Sequence, residues 1–257
     1  MSRYGRAAYS MGPGPLSHAV KTLIAINLAG FILGLIEPAI VVRLGLVPAM
    51  VTGQFALWQP VTYMFLHGGI GHLVFNMLAL WMFGTELERT WGTRFFVRYY
   101  MVTGIGAALV TVAWSLSPLP YASEMYQSVV IGASGAIYGL LFAYGLYFPT
   151  REIYLYFLFP IQARYFVILA GAIAFLSSVG SSGGGVAHVA HLGGLLVGYL
   201  YLKGRRGPLD EIKYRWLKWR LGRSHSKFEV YQGGRRGPGS PGGQSGDWTK
   251  EWKKHVH

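Results

Sequence analysis

Long apolar stretches, separated by short polar or charged connections, dominate the chain between residues 17 and 203. A helix that crosses a membrane needs about 20 consecutive, mostly apolar residues. Six stretches approach this length, and they cover residues 17–36, 71–87, 95–116, 128–147, 165–181 and 187–203. The pattern therefore predicts an all-α polytopic membrane protein with six transmembrane helices.

The segments on either side of this predicted membrane domain, 17–203, have a different composition. Residues 1–16 are rich in Gly and Pro and are interpreted as a flexible arm. Residues 204–257 are interpreted as a basic, partly disordered cytoplasmic tail. Within it, 209–221 mixes cations with large apolar groups, as in a helix that lies on anionic lipid, and a solvated tail without a specific role is the alternative. Residues 233–246 are rich in Gly, Pro and Ser, which is typical of a flexible linker.

The charge distribution predicts the orientation of the chain. Only 13% of the residues are charged, yet the net charge is +13. With the N-terminus inside, 22 of the 23 Lys and Arg residues fall in cytoplasmic segments, and Arg43 alone falls outside. This matches the positive-inside rule and accounts for the charge without a nucleic-acid partner. Both termini are therefore predicted to be cytoplasmic.

The connection between the first two predicted spans, 37–70, is too apolar for an ordinary water-exposed loop. Pro38, Pro48 and Pro60 interrupt it, so we expect it to lie in or on the outer leaflet. An additional full span is the alternative, which Arg43 and the prolines disfavour.

Two polar side chains in the predicted spans are candidate catalytic residues, because placing an ionisable group in the bilayer costs free energy and usually serves a function. Ser134 lies in the fourth span and His191 in the sixth, about 9 Å and about 6 Å below the outer surface at the rise of a helix. Neutral imidazole is the usual base that activates serine. Glu37 and Glu124 are the only anions predicted outside, and both lie in loops, so we expect a Ser-His dyad without an acid. The chain contains no cysteine, which excludes thiol catalysis and thiolate metal sites.

A second pair of residues could stabilise an anionic intermediate. His72 and Asn76 lie four residues apart on one face of the second predicted span, and both could donate to an oxyanion together with the Ser134 backbone N–H. The GxxxG spacings that begin at Gly135 and Gly194 are typical of helices that approach closely.

These residues resemble the motifs of the rhomboid family of intramembrane serine proteases, over residues 17–203. The matching motifs are Gly132-x-Ser134-Gly135 for the nucleophile, His191-Leu-Gly-Gly194-Leu for the histidine, and His72-x-x-x-Asn76 for the oxyanion pair. Tyr138 matches an aromatic residue that stacks on the imidazole, and Glu88-Arg89 matches a structural motif. The chain departs from the family at Trp58-Gln59, where many members have Trp-Arg, and this leaves open how the first loop is anchored.

The resemblance implies a six-helix rhomboid bundle with a water-filled cavity open to the extracytoplasmic side. Its substrates would be membrane proteins cut in or near a transmembrane segment, with no cofactor and no metal. A bacterial-type plasma membrane is the expected location. The short fifth span is the first candidate for the gate through which a substrate reaches the cavity.

Two other functions remain open. One is a catalytically inactive relative that binds membrane proteins or acts in their quality control, although such relatives usually lack the Ser or the His. The other is a metal transporter lined by His67, His72, His188 and His191, although no carboxylate joins them and HxxH alone is a weak metal motif. As a base, His188 competes with His191 but is assigned a supporting role or a solvated edge, and His67 is expected to form local hydrogen bonds.

Overall fold

The computed structural model describes residues 14–119, 121–155, 159–180 and 185–205. The helices in this part of the chain are α1 (His18–Ile36), α2 (Ala39–Leu44), α3 (Pro48–Gln54), α4 (Gln59–Thr62), a 3-10 turn (Tyr63–Phe65), α5 (Ile70–Ala79), a π-helical segment (Leu80–Gly84), α6 (Thr85–Trp91), α7 (Thr93–Ser115), α8 (Ala122–Gln127), α9 (Ser134–Tyr147), α10 (Ala163–Gly180) and α11 (Gly185–Arg205). A hairpin of β1 (Glu152–Leu155) and β2 (Phe159–Gln162) connects α9 to α10.

Within the described residues, three helices are long and apolar enough to cross a membrane: α1, the continuous helix Ile70–Trp91, and α7. They confirm the prediction of a helical membrane protein. The other three predicted spans correspond to α9, α10 and α11, of which α9 has 14 residues, fewer than the roughly 20 that a full span needs. The number of spans and the positions of the termini therefore remain predictions.

The boundaries of four predicted spans agree with the helices to within two residues, namely those of α1, α7, α10 and α11. The second predicted span is too short, because the helix continues to Trp91 through the π-helical segment. Such π-segments inside α-helices are often found at functional sites. The all-α prediction is wrong for the two short strands, Glu152–Leu155 and Phe159–Gln162, in which Ile153 pairs with Ile161. Apolar β-branched and aromatic residues favour strands there, and Pro160 disfavours a helix.

The fourth predicted span is wrong at its start. It was expected to be helical from residue 128, but α9 begins at Ser134 and Val130 pairs with Leu46 in an antiparallel bridge. Gly132, at φ +125, has a backbone conformation that L side chains rarely adopt, and its N–H donates to the Tyr63 carbonyl at 2.9 Å. The predicted depth of about 9 Å for Ser134 assumed a helix from residue 128. It is therefore not valid, because α9 begins only at Ser134.

The connection from residue 37 to residue 69 folds against the helices through a buried glutamine. The Oε1 atom of Gln59 accepts from the Val47 N–H at 2.9 Å, and the Trp58 indole N–H donates to the Arg43 carbonyl at 2.9 Å. These bonds answer the question that the Trp58-Gln59 departure left open, since Gln59 anchors the loop without a guanidinium. The position of this connection at the outer leaflet stays a prediction.

The core lies among α7, α9 and α11, with α11 packed most extensively against the other two. Large aromatic side chains fill the space beside it, and Phe96, Tyr99 and Tyr100 are fully buried. The Tyr99 hydroxyl donates to the Gly139 carbonyl at 2.8 Å. This core holds α9 and α11 in a fixed relation to each other, which determines where Ser134 and His191 meet.

Glu88 holds the beginning of α1. Its buried carboxylate accepts from the Ser17 hydroxyl, from the Ala19 and Val20 N–H groups at 3.0 and 3.1 Å, and from the Thr93 hydroxyl at 2.7 Å. Backbone N–H groups in the first turn of a helix have no partner within the helix, so the carboxylate caps α1 and complements its dipole. Glu88 thus ties α1 to the junction of α6 and α7.

The end of the predicted N-terminal arm also contacts the helices. The Trp81 indole N–H donates to the Gly14 carbonyl at 3.1 Å, and Arg89 donates to the Pro15 carbonyl. Residues 1–13 and 206–257 lie outside the described residues, so the flexible arm, the amphipathic helix at 209–221 and the linker at 233–246 stay predictions.

We expect Glu88→Gln to lower the stability of the protein by about 3 kcal/mol, because the amide removes the negative charge that four hydrogen-bond donors face. Thermal unfolding in detergent measures the change. Glu124→Gln is the matched control, since Glu124 is exposed on α8. Equal melting temperatures for the two variants would contradict a capping role for Glu88.

Candidate active site

Ser134 is the first residue of α9 and directly follows a short non-helical segment. The preceding residues are fixed by hydrogen bonds to the first loop, through Leu46 and Tyr63. As the first helical residue, Ser134 contributes a backbone N–H that lies at the positive end of the helix dipole. A serine in this position has an anchored backbone and an N–H available to an anion.

His191 on α11 faces Ser134 directly. Its Nε2 atom lies 2.9 Å from the Ser134 Oγ atom, at hydrogen-bond distance. The Nδ1 atom is buried, and no residue in the described part of the chain forms a hydrogen bond with it. For Nε2 to accept the serine proton, Nδ1 must carry the ring hydrogen. The pair is therefore a serine and an imidazole without a carboxylate behind the imidazole.

Tyr138, one turn after Ser134, lies flat on the imidazole. The two ring centroids are 4.2 Å apart and the rings are nearly parallel, at 5°. Stacking restricts rotation of the His191 side chain about the Cβ–Cγ bond, which turns the imidazole ring. Tyr138 thereby fixes the ring orientation, a task that a carboxylate performs through a hydrogen bond in a Ser-His-Asp triad.

Gly194 lets α11 approach α9, and Gly135 lets α9 approach Ala107 on α7. A Cβ atom on Gly194 would lie 1.9 Å from the Gly135 carbonyl oxygen, and one on Gly135 would lie 2.7 Å from the Ala107 Cβ. Contacts this short exclude any side chain at either position. The small-residue spacing noted in the sequence thus lies at the closest approach of these helices, next to the Ser134–His191 contact.

His72 lies against the loop that leads to Ser134. A Cβ atom on Gly132 would lie 2.7 Å from both Cε1 and Nε2 of His72, so a glycine is required at residue 132 for space as well as for its positive φ. Asn76 is buried on the same helix, and its Nδ2 atom donates to the His72 carbonyl at 2.8 Å. An amide nitrogen carries two hydrogens, so one N–H of Asn76 remains for another acceptor.

These residues line one cavity of about 330 Å³. Its walls include Tyr63, His72, Asn76, Ser134, Tyr138 and His191. The sequence reasoning missed Tyr63, which is fully buried and donates from its hydroxyl to the Gly104 carbonyl at 2.7 Å. No motif could have indicated Tyr63, because its contribution is a backbone carbonyl that holds Gly132.

The other two histidines lie beside His72 and His191. His67 was expected to form local hydrogen bonds, which is wrong: it is buried, neither ring nitrogen has a partner among the described residues, and its ring meets the His72 ring edge-on at 5.0 Å. Burial and then the adjacent His72 lower the pKa of His67 to about 4, so it is neutral at pH 7. His188 is half-buried, and its ring contacts the His191 ring edge-on at 5.7 Å.

The histidines do not converge on a metal site in the part of the chain that the structure describes. There, no group of three or more His, Cys, Asp or Glu side chains is arranged to hold a metal ion. His67 pairs with His72, and His188 with His191, through ring edges. The transporter interpretation therefore lacks support from these residues.

Comparison with known proteins places the chain in a family. The sequence profile of the rhomboid domain matches residues 54–206, more than half of the chain. The chain belongs to the rhomboid family. The matched region contains the Ser134–His191 contact, His72 and Asn76.

Several curated proteins are similar to this rhomboid chain. Rhomboid protease AarA of Providencia stuartii is 36% identical over 151 residues, which cover 56% of this chain and 54% of that protein. Rhomboid protein 1, mitochondrial, of Saccharomyces cerevisiae is 37% identical over 147 residues, covering 53% and 38%. Rhomboid protease GluP of Bacillus subtilis is 35% identical over 145 residues, covering 55% and 25%. The matched region thus spans about half, or less, of each relative.

We expect Gly194→Ala to destabilise the protein by about 3 kcal/mol or more, because the new methyl group would overlap the Gly135 carbonyl and force α9 and α11 apart. Gly204→Ala on the same helix is the control, since nothing lies within 4 Å of its Cβ position. Thermal unfolding in detergent compares the two. If Gly194→Ala melted at the temperature of Gly204→Ala, the close helix contact would be disproved.

Proposed function

We propose that this rhomboid protein is an intramembrane serine endopeptidase in which Ser134 and His191 form a catalytic dyad. The observation that carries the proposal is the 2.9 Å distance between the His191 Nε2 and Ser134 Oγ atoms. The membership of the rhomboid family and the relatives named as proteases support this reaction class.

In the proposed mechanism, His191 Nε2 removes the proton from the Ser134 hydroxyl as Oγ attacks the carbonyl carbon of a peptide bond. The tetrahedral intermediate collapses when the imidazolium gives its proton to the departing amine, leaving an acyl-enzyme. A water molecule, deprotonated by His191, then attacks the ester. Collapse of the second intermediate returns the proton to Ser134 and releases the new carboxyl terminus.

The negative oxygen of each intermediate needs donors. We assign this role to the Ser134 N–H, the His72 imidazole and the second N–H of Asn76. The position of His72 against Gly132 supports the assignment, since it places the imidazole beside the loop that carries Ser134. The loss of one such donor typically lowers kcat about 100- to 1,000-fold.

The substrates we propose are membrane proteins, cut in or near a transmembrane segment. A peptide bond in a helix is shielded by the surrounding turns, so the segment must unwind locally, and each backbone group freed in lipid costs several kcal/mol. Sites with small or helix-breaking residues would lower this cost. As the gate we propose α10, where Phe166 stacks on Phe83 at 6.1 Å along the wall of the cavity.

The proposed setting is a six-helix bundle in a bacterial-type plasma membrane. Both termini would be cytoplasmic and the cavity would open to the extracytoplasmic side. The positive-inside distribution of Lys and Arg supports this orientation.

An inactive role in membrane-protein binding is the second candidate. It is disfavoured because the chain retains both Ser134 and His191 and holds them at hydrogen-bond distance.

We expect Ser134→Ala and His191→Ala each to lower the cleavage of a model transmembrane substrate in liposomes by about 1,000-fold or more, as removal of a catalytic nucleophile or base does in serine proteases. Ser128→Ala is the matched control, since the Ser128 hydroxyl donates to the Glu124 carbonyl, outside the cavity. His188→Ala tests the competing base and should keep most of the activity. Cleavage that survives in purified Ser134→Ala would contradict the mechanism.

We expect Tyr138→Phe to retain the wild-type kcat within about threefold, because the stacking ring remains, whereas Tyr138→Leu should lower kcat about tenfold or more through loss of ring orientation. The substrate KM should change little in both variants. Equal kcat values for the Phe and Leu variants would show that stacking does not position His191.

A further inference from the structure

A second cavity, of about 570 Å³, lies away from the active site between α1 and the helix Ile70–Trp91. Its walls include Leu16, Ile24, Leu28, Val74, Met77 and Trp81. Leu28 and Val74 are 47% and 52% exposed, so the cavity is a groove open to the surroundings of the helices. In a membrane-embedded protein, these surroundings are lipid.

The groove forms because α1 is held at two separate places. Glu88 caps its beginning, and near its middle Gly30 lies against the first loop, where a Cβ atom would come within 2.2 Å of the Phe65 carbonyl oxygen. The face of α1 that includes Val20 and Leu23 is buried in the protein. The adjacent face, with Ile24 and Leu28, borders the groove.

Two cations lie at one end of the groove. Lys21 is exposed and lies on the same helical face as Ile24 and Leu28, three and seven residues further on. The Arg89 Nη1 atom lies 3.5 Å from the Cβ position of Gly14, which lines the groove. The nearby anion, Glu88, is buried and accepts from four donors, so it is engaged elsewhere.

The length of the groove matches one leaflet. From Trp81 to Leu73 it follows eight residues of helix, or about 12 Å, compared with about 15 Å for half of a hydrocarbon core of about 30 Å. A transmembrane partner helix crosses both leaflets, whereas the groove follows the helix for about the length of one.

We propose that this groove binds one phospholipid with an anionic headgroup, with an acyl chain along Ile24, Leu28 and Val74 and the phosphate beside Lys21 and Arg89. Lys21 can pair with a phosphate oxygen and lay its aliphatic stem on the apolar wall, and Arg89, which also donates to the Pro15 carbonyl, adds positive charge beside it. The proposal requires a membrane-embedded chain but is independent of proteolysis, so lipid binding and cleavage can fail separately.

The test is native mass spectrometry of the full chain in detergent, with phosphatidylglycerol or with phosphatidylcholine of the same acyl chains. We expect the wild type to bind the first phosphatidylglycerol about tenfold more tightly than phosphatidylcholine. Lys21→Gln should weaken phosphatidylglycerol binding about fivefold, the effect of one cation near an anionic lipid. Lys203→Gln, which removes the cation beside Tyr199 on α11, should leave the affinity for phosphatidylglycerol unchanged.

The groove itself is tested by Val74→Trp, which would occupy it with an indole and should abolish the first tight site for phosphatidylglycerol. Leu28→Phe is the second filling variant, in case Val74→Trp does not fold as judged by thermal unfolding. Equal affinity for the two lipids, or equal losses in Lys21→Gln and Lys203→Gln, would overturn the proposal. So would wild-type dimers that disappear in the filling variants, because they would identify a second copy as the occupant.

Discussion

The close approach of α9 and α11 is the constraint on which the arrangement of the site depends. The serine side chain is short, so the imidazole of His191 can reach its hydroxyl only if the backbones of the two helices pack closely together. The backbones meet where Gly194 lies on the Gly135 carbonyl, one residue beyond Ser134 and three beyond His191. Because Gly194 has no Cβ, Nε2 reaches to within 2.9 Å of Oγ. The glycines, whose φ values are ordinary, are therefore required for space, and the buried Tyr99 and its neighbours keep the two helices at this distance.

A second constraint is the backbone just before α9. Val130 and Gly132 are hydrogen-bonded to the first loop through Leu46 and Tyr63, so this loop sets the position at which the helix begins. The loop is in turn fixed by the buried amide of Gln59. His72 reaches the same segment from α5 and lies where any side chain at residue 132 would be. The first loop, α5 and α9 thus converge on Gly132, and a change in the first loop would alter the site through backbone contacts.

The sequence was sufficient for the parts of the structure that depend on pattern and motif. Apolar length predicted α1, α7, α10 and α11 to within two residues, and spacing selected Ser134, His191, His72 and Asn76, which line one cavity. It could not reveal the start of α9, because an apolar run that contains Gly132 is equally compatible with helix and extended chain. The Glu88 cap, the role of Gln59 and the unbonded, buried His67 depend on contacts between residues distant in sequence. Tyr63 acts through its backbone carbonyl, which no side-chain pattern encodes.

The central claim is that His191 activates Ser134, and covalent labelling by a fluorophosphonate tests it most directly. The reagent reacts with an activated serine regardless of which membrane protein is the natural substrate, and peptide mapping identifies the modified residue. We predict that the wild-type protein is labelled at Ser134 and that labelling is lost in a folded His191→Ala variant. Equal labelling of Ser134 in His191→Ala, or no labelling of folded wild type, would contradict the account.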